Sequence, residues 1–326
     1  PIRIFQVVPG GLPVDAKFSN SKSLTLSQEK TAVKHPHVLG LGEVFSWTKV
    51  TLRESKTMKS ISSMLECDCI INGHTAGASD KKLNAYVSSG ILSCHEPINF
   101  DQVLERLRLG MWIMIREGSI RRDLNEIIPR VLSHGTYLNR LMFCSDGLDP
   151  LDITKFGHID HCIRESIRHG LKPIDAVTIA SKNNFDYYNM GKDLGGIAPG
   201  KLADILIFDD LKSFKPTKVF VGGKLIISNG RFVIPIKKKP IPSWIKKTVK
   251  LKNFSKNDFL IKSKKKNVLA NTIFMQSEII TKLGSSELQS IDGNVSASLN
   301  SDVWKVAAFD RIHGTNRHSI GFLENF

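Results

Sequence analysis

The sequence has no C-x-x-C pair, no apolar run long enough to cross a bilayer and no glycine-rich phosphate loop. Each absence removes a class of protein. The five cysteines, Cys67, Cys69, Cys94, Cys144 and Cys162, are odd in number and lack ribbon spacing. That excludes a disulfide framework or a zinc ribbon and fits a reducing cytoplasm. Cys67 and Cys69 are expected on one face of a strand, as buried apolar thiols. The longest strongly apolar stretch, around Met111–Ile115, falls far short of the roughly 20 residues of a membrane-spanning helix. The first ten residues hold one basic residue and no extended apolar core, so no signal peptide is expected. There is no initiator Met, and PIRIFQVVPGG opens inside an apolar run, so the expectation is a chain cut from something longer.

Acid is also in short supply: 31 Asp and Glu stand against 46 Lys and Arg, a net charge of +15. Such a balance can signal nucleic acid. Much of the lysine, however, lies in Lys237–Lys239 with Lys246–Lys252, and in Lys262–Lys266, beside linker-like, Pro-containing sequence. No RNP-like aromatic set, zinc finger or helix-turn-helix accompanies these runs. Solvated charge is the expected reading, and nucleic acid is not an expected partner.

What is present is an ordinary globular composition, 41% apolar and 24% charged, in 326 residues, enough for two or three domains. Short apolar runs at Ile2–Val8, Val38–Leu41, Asp68–Ile71, Ile91–Cys94, Trp112–Ile115 and Leu141–Cys144 alternate with helical patterns such as Lys81–Ser88 and Phe100–Leu109. In the latter, Asn99 is the expected N-cap and Gly110 the C-terminal stop. Such alternation predicts a parallel α/β architecture two strands short of an eightfold barrel. After Gly195, short β-rich runs between Gly-, Pro- and Asp-rich turns predict a small antiparallel element.

Polar residues follow the expected strands in turn: Glu43, then His74, then His95-Glu96, then Arg116-Glu117-Gly118-Ser119, then Asp146. Strand C-terminal ends converge on one mouth of a β/α barrel, so these side chains are expected to meet. Mixed imidazole and carboxylate donors suit zinc, iron or manganese. His158, His161 and His169 fall on a helix-like stretch and read as helix surface or core edge.

The segments GLGEVF, NGHTAG, LNAYVSSGI, SCHE, LRLGMWIMIREGS, FCSDGLDP, GHIDHCIR, IAPGKLADI and DVWKVAAFDRIHGT resemble, in order and spacing, the adenine deaminases of the metal-dependent amidohydrolase superfamily. The resemblance covers nearly the whole chain. It implies an α/β fold: an incomplete TIM-type β/α hydrolase barrel over 1–190, a small β-sandwich element over 191–233, a basic connector over 234–266 and a partial C-terminal α+β domain over 267–326. It implies Glu43, His74, His95 and Asp146 as ligands of a binuclear divalent metal site (Mn2+ or Fe2+, with Zn2+ a third candidate). Asp146 and Glu96 become catalytic residues, and Arg116, Glu117 and Ser119 substrate-binding ones. The reaction implied is metal-assisted hydrolytic deamination of adenine to hypoxanthine and ammonia, a purine-salvage step, by a cytoplasmic enzyme, with a homodimer as the default assembly.

The family's H-x-H pair of the first strand has no counterpart in this sequence, so the isolated chain is expected to be inactive or nearly so. NGHTAG stands for DGHAPG, CHE for DHE (Cys94 for the acid), SDG for TDD, and VVPGGLPVD for an SCVPAT-like segment. Two alternatives stay open: a catalytically inactive remnant, and an amidohydrolase acting on another cyclic amide or aminopurine.

Overall fold

The computed structural model describes residues 2–11, 23–236, 239–251, 253–276, 280–297 and 301–326. The end of VVPGGLPVD, and Lys237, Lys238 and Lys252 of the basic runs, lie outside the described residues. The chain forms two compact units, Pro1–Ile236 and Lys237–Phe326.

In the first unit, six short parallel strands alternate with helices. They are β1 (Gln6–Val8), β2 (Val38–Val44), β3 (Ile70–Gly73), β4 (Ser93–Cys94), β5 (Trp112–Arg116) and β6 (Leu141–Cys144). Helices α1 (Leu26–Ala32), α2 (Trp47–Thr51), α3 (Ser55–Leu65), α4 (Asp80–Val87), α5 (Phe100–Arg108) and α6 (Leu124–His134) fall between them. After β6 come α7 (Pro150–Phe156), α8 (Ile159–Arg168), α9 (Pro173–Ala180) and α10 (Lys182–Tyr187). The strands pair as two parallel sheets, β1-β2-β3 and β4-β5-β6, an incomplete barrel of the expected class.

Local sequence explains the boundaries. In β5, Ile113 and Ile115 alternate inward and join Val103, Leu124, Ile127, Ile128 and Val131 of α5 and α6 in one core cluster. The period of two in the strand meets the three-to-four spacing of the helices. Asn99 Oδ1 accepts from Gln102 N at 3.0 Å and starts α5, and Gly110, at φ +77°, follows its end. A second cluster, with Leu41, Val44, Ile61, Met64, Ile71 and Tyr86, lies under the first sheet.

Two expectations at strand edges are corrected. Asp68 has φ +52°, so the chain turns there and β3 begins at Ile70. Cys67 is exposed in that turn, and the two thiols do not share a buried strand face. Ile2 and Ile4 are exposed, and β1 holds only Gln6–Val8.

No backbone ladder joins β3 to β4 among the described residues. Side chains fasten that seam instead. Gly73 N donates to Ser93 Oγ at 3.2 Å, and Tyr187 Oη lies 2.6 Å from Asn72 Oδ1 and 2.8 Å from Ser93 Oγ. A Cβ at position 73 would sit 2.5 Å from Ser93 O, so glycine is what lets the sheets approach this closely.

The β-rich segment after Gly195 is a four-stranded antiparallel meander: β7 (Ile205–Phe208), β8 (Pro216–Val221), β9 (Lys224–Ser228) and β10 (Arg231–Phe232). It is one sheet, not a sandwich, among the described residues. Arg3 Nε donates to Asp204 Oδ2 at 2.6 Å beside it.

The second unit has two 3-10 turns, Ser243–Lys247 and Lys256–Phe259, and a five-stranded sheet. Its strands are β11 (Asn267–Met275), β12 (Thr281–Ile291), β13 (Asn294–Ser296), β14 (Val303–Phe309) and β15 (His318–Glu324), in the order β13-β12-β11-β15-β14. The expected α+β tail is met in its strands alone, since the described residues there hold no α-helix. Its runs alternate inward and outward with period two, as in β11, which suits a sheet face and not a helix stripe.

Candidate metal centre

The C-terminal ends of β2, β3, β4 and β6 deliver one cluster. Glu43 ends β2 with Val44. His74 follows β3, and its backbone N–H donates to Tyr86 Oη of α4 at 3.0 Å, while Tyr86 Oη donates to Val44 O. One phenol thus ties the start of the His74 segment to the end of β2. His95 follows β4, and its carbonyl accepts from Arg121 Nη2 at 2.9 Å. Asp146 follows β6 in a left-handed turn, φ +41°.

His95 Nε2 lies 3.1 Å from Glu43 Oε2, 3.2 Å from Glu96 Oε1 and 3.7 Å from Asp146 Oδ2. His74 Nδ1 lies 3.5 Å from Glu43 Oε1 and is buried without a hydrogen-bond partner among the described residues. The two imidazoles meet edge to face with centroids 5.3 Å apart. Two donor sets, Glu43-His74-His95 and His95-Glu96-Asp146, each lie within 4.8 Å of one another and share His95. Buried imidazole nitrogens and convergent carboxylates, one nitrogen without a hydrogen bond among the described residues, fit a divalent cation.

Two arginines balance this acid. Arg116 Nη1 lies 2.6 Å from Asp146 Oδ2 and 3.1 Å from Glu96 Oε1. Arg121 Nη1 donates to Glu96 Oε2 at 2.8 Å, and its Nε donates to Asp123 Oδ2 at 2.9 Å. Burial pushes Glu96 up, but the hydrogen bond from His95 and the charge of Arg121 outweigh it and bring its pKa down to about 2. Burial would lower the His95 pKa, yet Glu96, Glu43 and Asp146 hold it above the ordinary histidine value. At Asp123, by contrast, burial prevails, and its pKa is raised despite Arg121.

Glu43, His74, His95, Glu96, Arg116 and Asp146 therefore converge, while Glu117 and Ser119 make their polar contacts elsewhere. Glu117 accepts from Leu124 N at 3.4 Å and lies 3.6 Å from His161 Nε2, with burial pushing its pKa up to about 7. Consecutive residues of a strand face opposite sides, so Arg116 at the mouth already implies Glu117 behind it. Ser119 Oγ accepts from Asp149 N at 2.7 Å, and its N–H donates to Gly147 O at 3.1 Å. It joins its loop to the one carrying Asp146. A Cβ at Gly118 would come 2.3 Å from Ser145 O, which keeps that approach open only to glycine. Arg121 and Asp123 were not expected; their signal is the Arg-Arg-Asp run just past REGS, off any strand end. His158, at the N-terminus of α8, lies 3.2 Å from Ser145 Oγ.

The amidohydrolase family profile matches residues 33–226. The adenine deaminase of Cenarchaeum symbiosum (strain A) is 58% identical over 326 residues, covering all of this chain and 54% of that protein. The adenine deaminase of Kosmotoga olearia is 33% identical over 324 residues, 99% of this chain and 56% of that one. The chain spans about half the length of the curated relatives it matches. Among solved structures, a beta-aspartyl dipeptidase from Fervidobacterium islandicum AW-1 covers 64% of this chain and 63% of its own. It is 18% identical with a TM-score of 0.49, too loose a likeness to carry an argument about function. No helix among the described residues is long and apolar enough to cross a membrane.

Proposed function

The chain belongs to the amidohydrolase family, and we propose that it forms part of an enzyme that hydrolyses adenine to hypoxanthine and ammonia. The observation that supports this most is the meeting of Glu43, His74, His95 and Asp146 at four strand ends, in a chain closely similar to adenine deaminases. In this reading the centre is binuclear, with His95 between two donor sets, and takes Mn2+ or Fe2+, with Zn2+ the third candidate. A divalent cation, when bound, supplies Lewis-acid activation of water at neutral pH.

The chain's own residues do the rest. His74 Nδ1 and His95 Nε2 offer nitrogen donors on rings held by their backbone partners Tyr86 and Arg121. Asp146, the most exposed carboxylate of the set, takes the proton of the attacking water and returns it to the departing amine. Arg116 fixes that carboxylate's direction. Glu96, held ionised by His95 and Arg121, accepts a hydrogen bond from a ring or amino N–H of the purine. Water oxygen adds at the amino-bearing ring carbon, a proton goes to the adjoining ring nitrogen, and the carbon–nitrogen bond to ammonia breaks. The meander β7–β10 belongs in this reading to the small composite element, and 267–326 to the C-terminal domain. A role in purine salvage, cytoplasmic placement and homodimerisation go with it.

The test is ammonia release by the full-length protein, loaded with Mn2+, on adenine, guanine and dihydropyrimidines. Hypoxanthine from adenine is the expected product. No ammonia from adenine, or faster turnover of another substrate, overturns the proposal.

A further inference from the structure

A guanidinium lies inside this unit with almost no solvent contact, outside the metal cluster and the arginine pair that balances it. Arg106, in the last turn of α5, is 1% exposed. Its Nε donates to Thr75 Oγ1 at 2.9 Å, and its Nη2 donates to Thr75 O at 2.8 Å and Ala78 O at 3.1 Å. Its Nη1 donates to Gln102 O at 3.1 Å and lies 3.5 Å from Glu105 Oε2. Three of these four hydrogen bonds hold the segment that leaves His74.

A buried cation is costly unless its donors are satisfied, and here neutral oxygens of Thr75 and Ala78 do most of that. The planar fork reaches side-chain and main-chain oxygens of one residue at once, a geometry that an ammonium does not reproduce. Thr75, fully buried, passes the connection on. Its Oγ1 lies 2.8 Å from Cys94 Sγ, and that sulfur accepts from Glu96 N at 3.3 Å. The path Arg106–Thr75–Cys94–Glu96 therefore crosses from the end of β3 to the end of β4, where no backbone ladder runs among the described residues. One end lies beside His74, and the other brackets His95 between Cys94 and Glu96. Cys94, the residue at the place of the family's acid, is a member of this path.

We propose that Arg106 is a positioning residue that sets the spacing of the two histidine donors through Thr75 and Cys94. It touches neither donor and no reacting group. The inference rests on the metal-centre reading above. Partners of this kind typically contribute ~10–100-fold to metal affinity.

The test is Mn2+ titration of the chain and its variants by calorimetry, each held well below its own Tm, which thermal unfolding gives separately. Arg106→Lys and Thr75→Val are expected to remain folded and to bind Mn2+ at least ~10-fold more weakly, while Thr75→Ser, which keeps the hydroxyl, restores the affinity of the unaltered chain. A merely structural role would lower Tm and leave Kd in place. If Arg106→Lys does not fold, Thr75→Val against Thr75→Ser decides. Unchanged Kd in a folded Thr75→Val overturns the proposal while leaving the metal centre standing. No Mn2+ binding by the unaltered chain overturns the metal-centre reading itself, and this inference with it.

Discussion

Glu96 and Glu117 are two buried carboxylates on either side of one loop, with side chains 4% and 7% exposed, and they have opposite characters. Glu96 meets Arg116, Arg121 and His95 and titrates at about 2. Glu117 meets a backbone N–H and the face of α8, and titrates at about 7. Burial is nearly the same; the partners are not. Depth alone therefore does not identify the working acid of this mouth. The pair shows how a β/α scaffold places an ionised carboxylate at the strand ends and a readily protonated one behind them.

The contrast can be broken at its strongest point by removing the cation. Arg121→Met leaves Glu96 and Asp123 buried without their shared partner, and breaking such a pair costs about 3–5 kcal/mol. Chemical denaturation at neutral pH should show that loss, and it should shrink as the pH falls and the two acids take up protons. A stability change under about 1 kcal/mol would mean that Arg116 alone carries Glu96.

Next in size is the response to a divalent ion. A ligand bound only by the folded state stabilises by about 2.7 kcal/mol at a hundredfold excess over Kd. Mn2+ should raise the Tm of the unaltered chain and of Glu117→Gln, and should leave His95→Ala unmoved, because His95 belongs to both donor sets. An equal rise in His95→Ala would place the ion elsewhere.

Glu117 gives a smaller effect with a definite sign. Its folded pKa lies above the unfolded value, so the folded state binds more protons between about 4.5 and 7. Its contribution to stability is fully present below the lower value and lost as pH rises through the upper one. Glu117→Gln keeps an acceptor for Leu124 N and removes that loss. The variant should gain on the order of 2 kcal/mol over the unaltered chain at pH 8, and little at pH 4. A gain independent of pH would remove the titration as its cause.

The smallest change is expected from His161→Gln, which keeps a polar group near Glu117 while removing an imidazole that burial already holds below its usual pKa. About 0.5 kcal/mol or less is expected in denaturant, with the Glu117 pH profile intact. Its disappearance would show that the imidazole and the carboxyl titrate as one.

Much of this arrangement is legible in the chain itself. Short apolar runs each followed by a polar residue gave Glu43, His74, His95, Arg116 and Asp146, since strand ends in such folds face one way. The hidden members are those whose place depends on tertiary return. Arg121 reaches Glu96 because the chain after REGS folds back, pairing Glu117 with Arg122 in an isolated antiparallel bridge. Tyr86 and Arg106 sit on helices and read there as ordinary core and surface positions, since nothing in a helical period marks a side chain aimed at a neighbouring loop. The second unit reads in the sequence as a partial α+β domain, and not as a sheet without α-helices among its described residues, because short alternating runs carry little information about what lies between them.

The seam between β3 and β4 has a mechanical consequence. Glu43 and His74 lie on one side of it, and His95, Glu96 and Asp146 on the other. An ion held by both sides would act as a clasp across a joint fastened, among the described residues, by side-chain rivets such as Tyr187 between Asn72 and Ser93. Loading and joint closure then become one event: whatever pries the sheets apart releases the ion, and whatever grips the ion locks the sheets. Amide exchange at Asn72 and Gly73 would slow on loading, so these amides serve as a gauge of occupancy that needs no substrate.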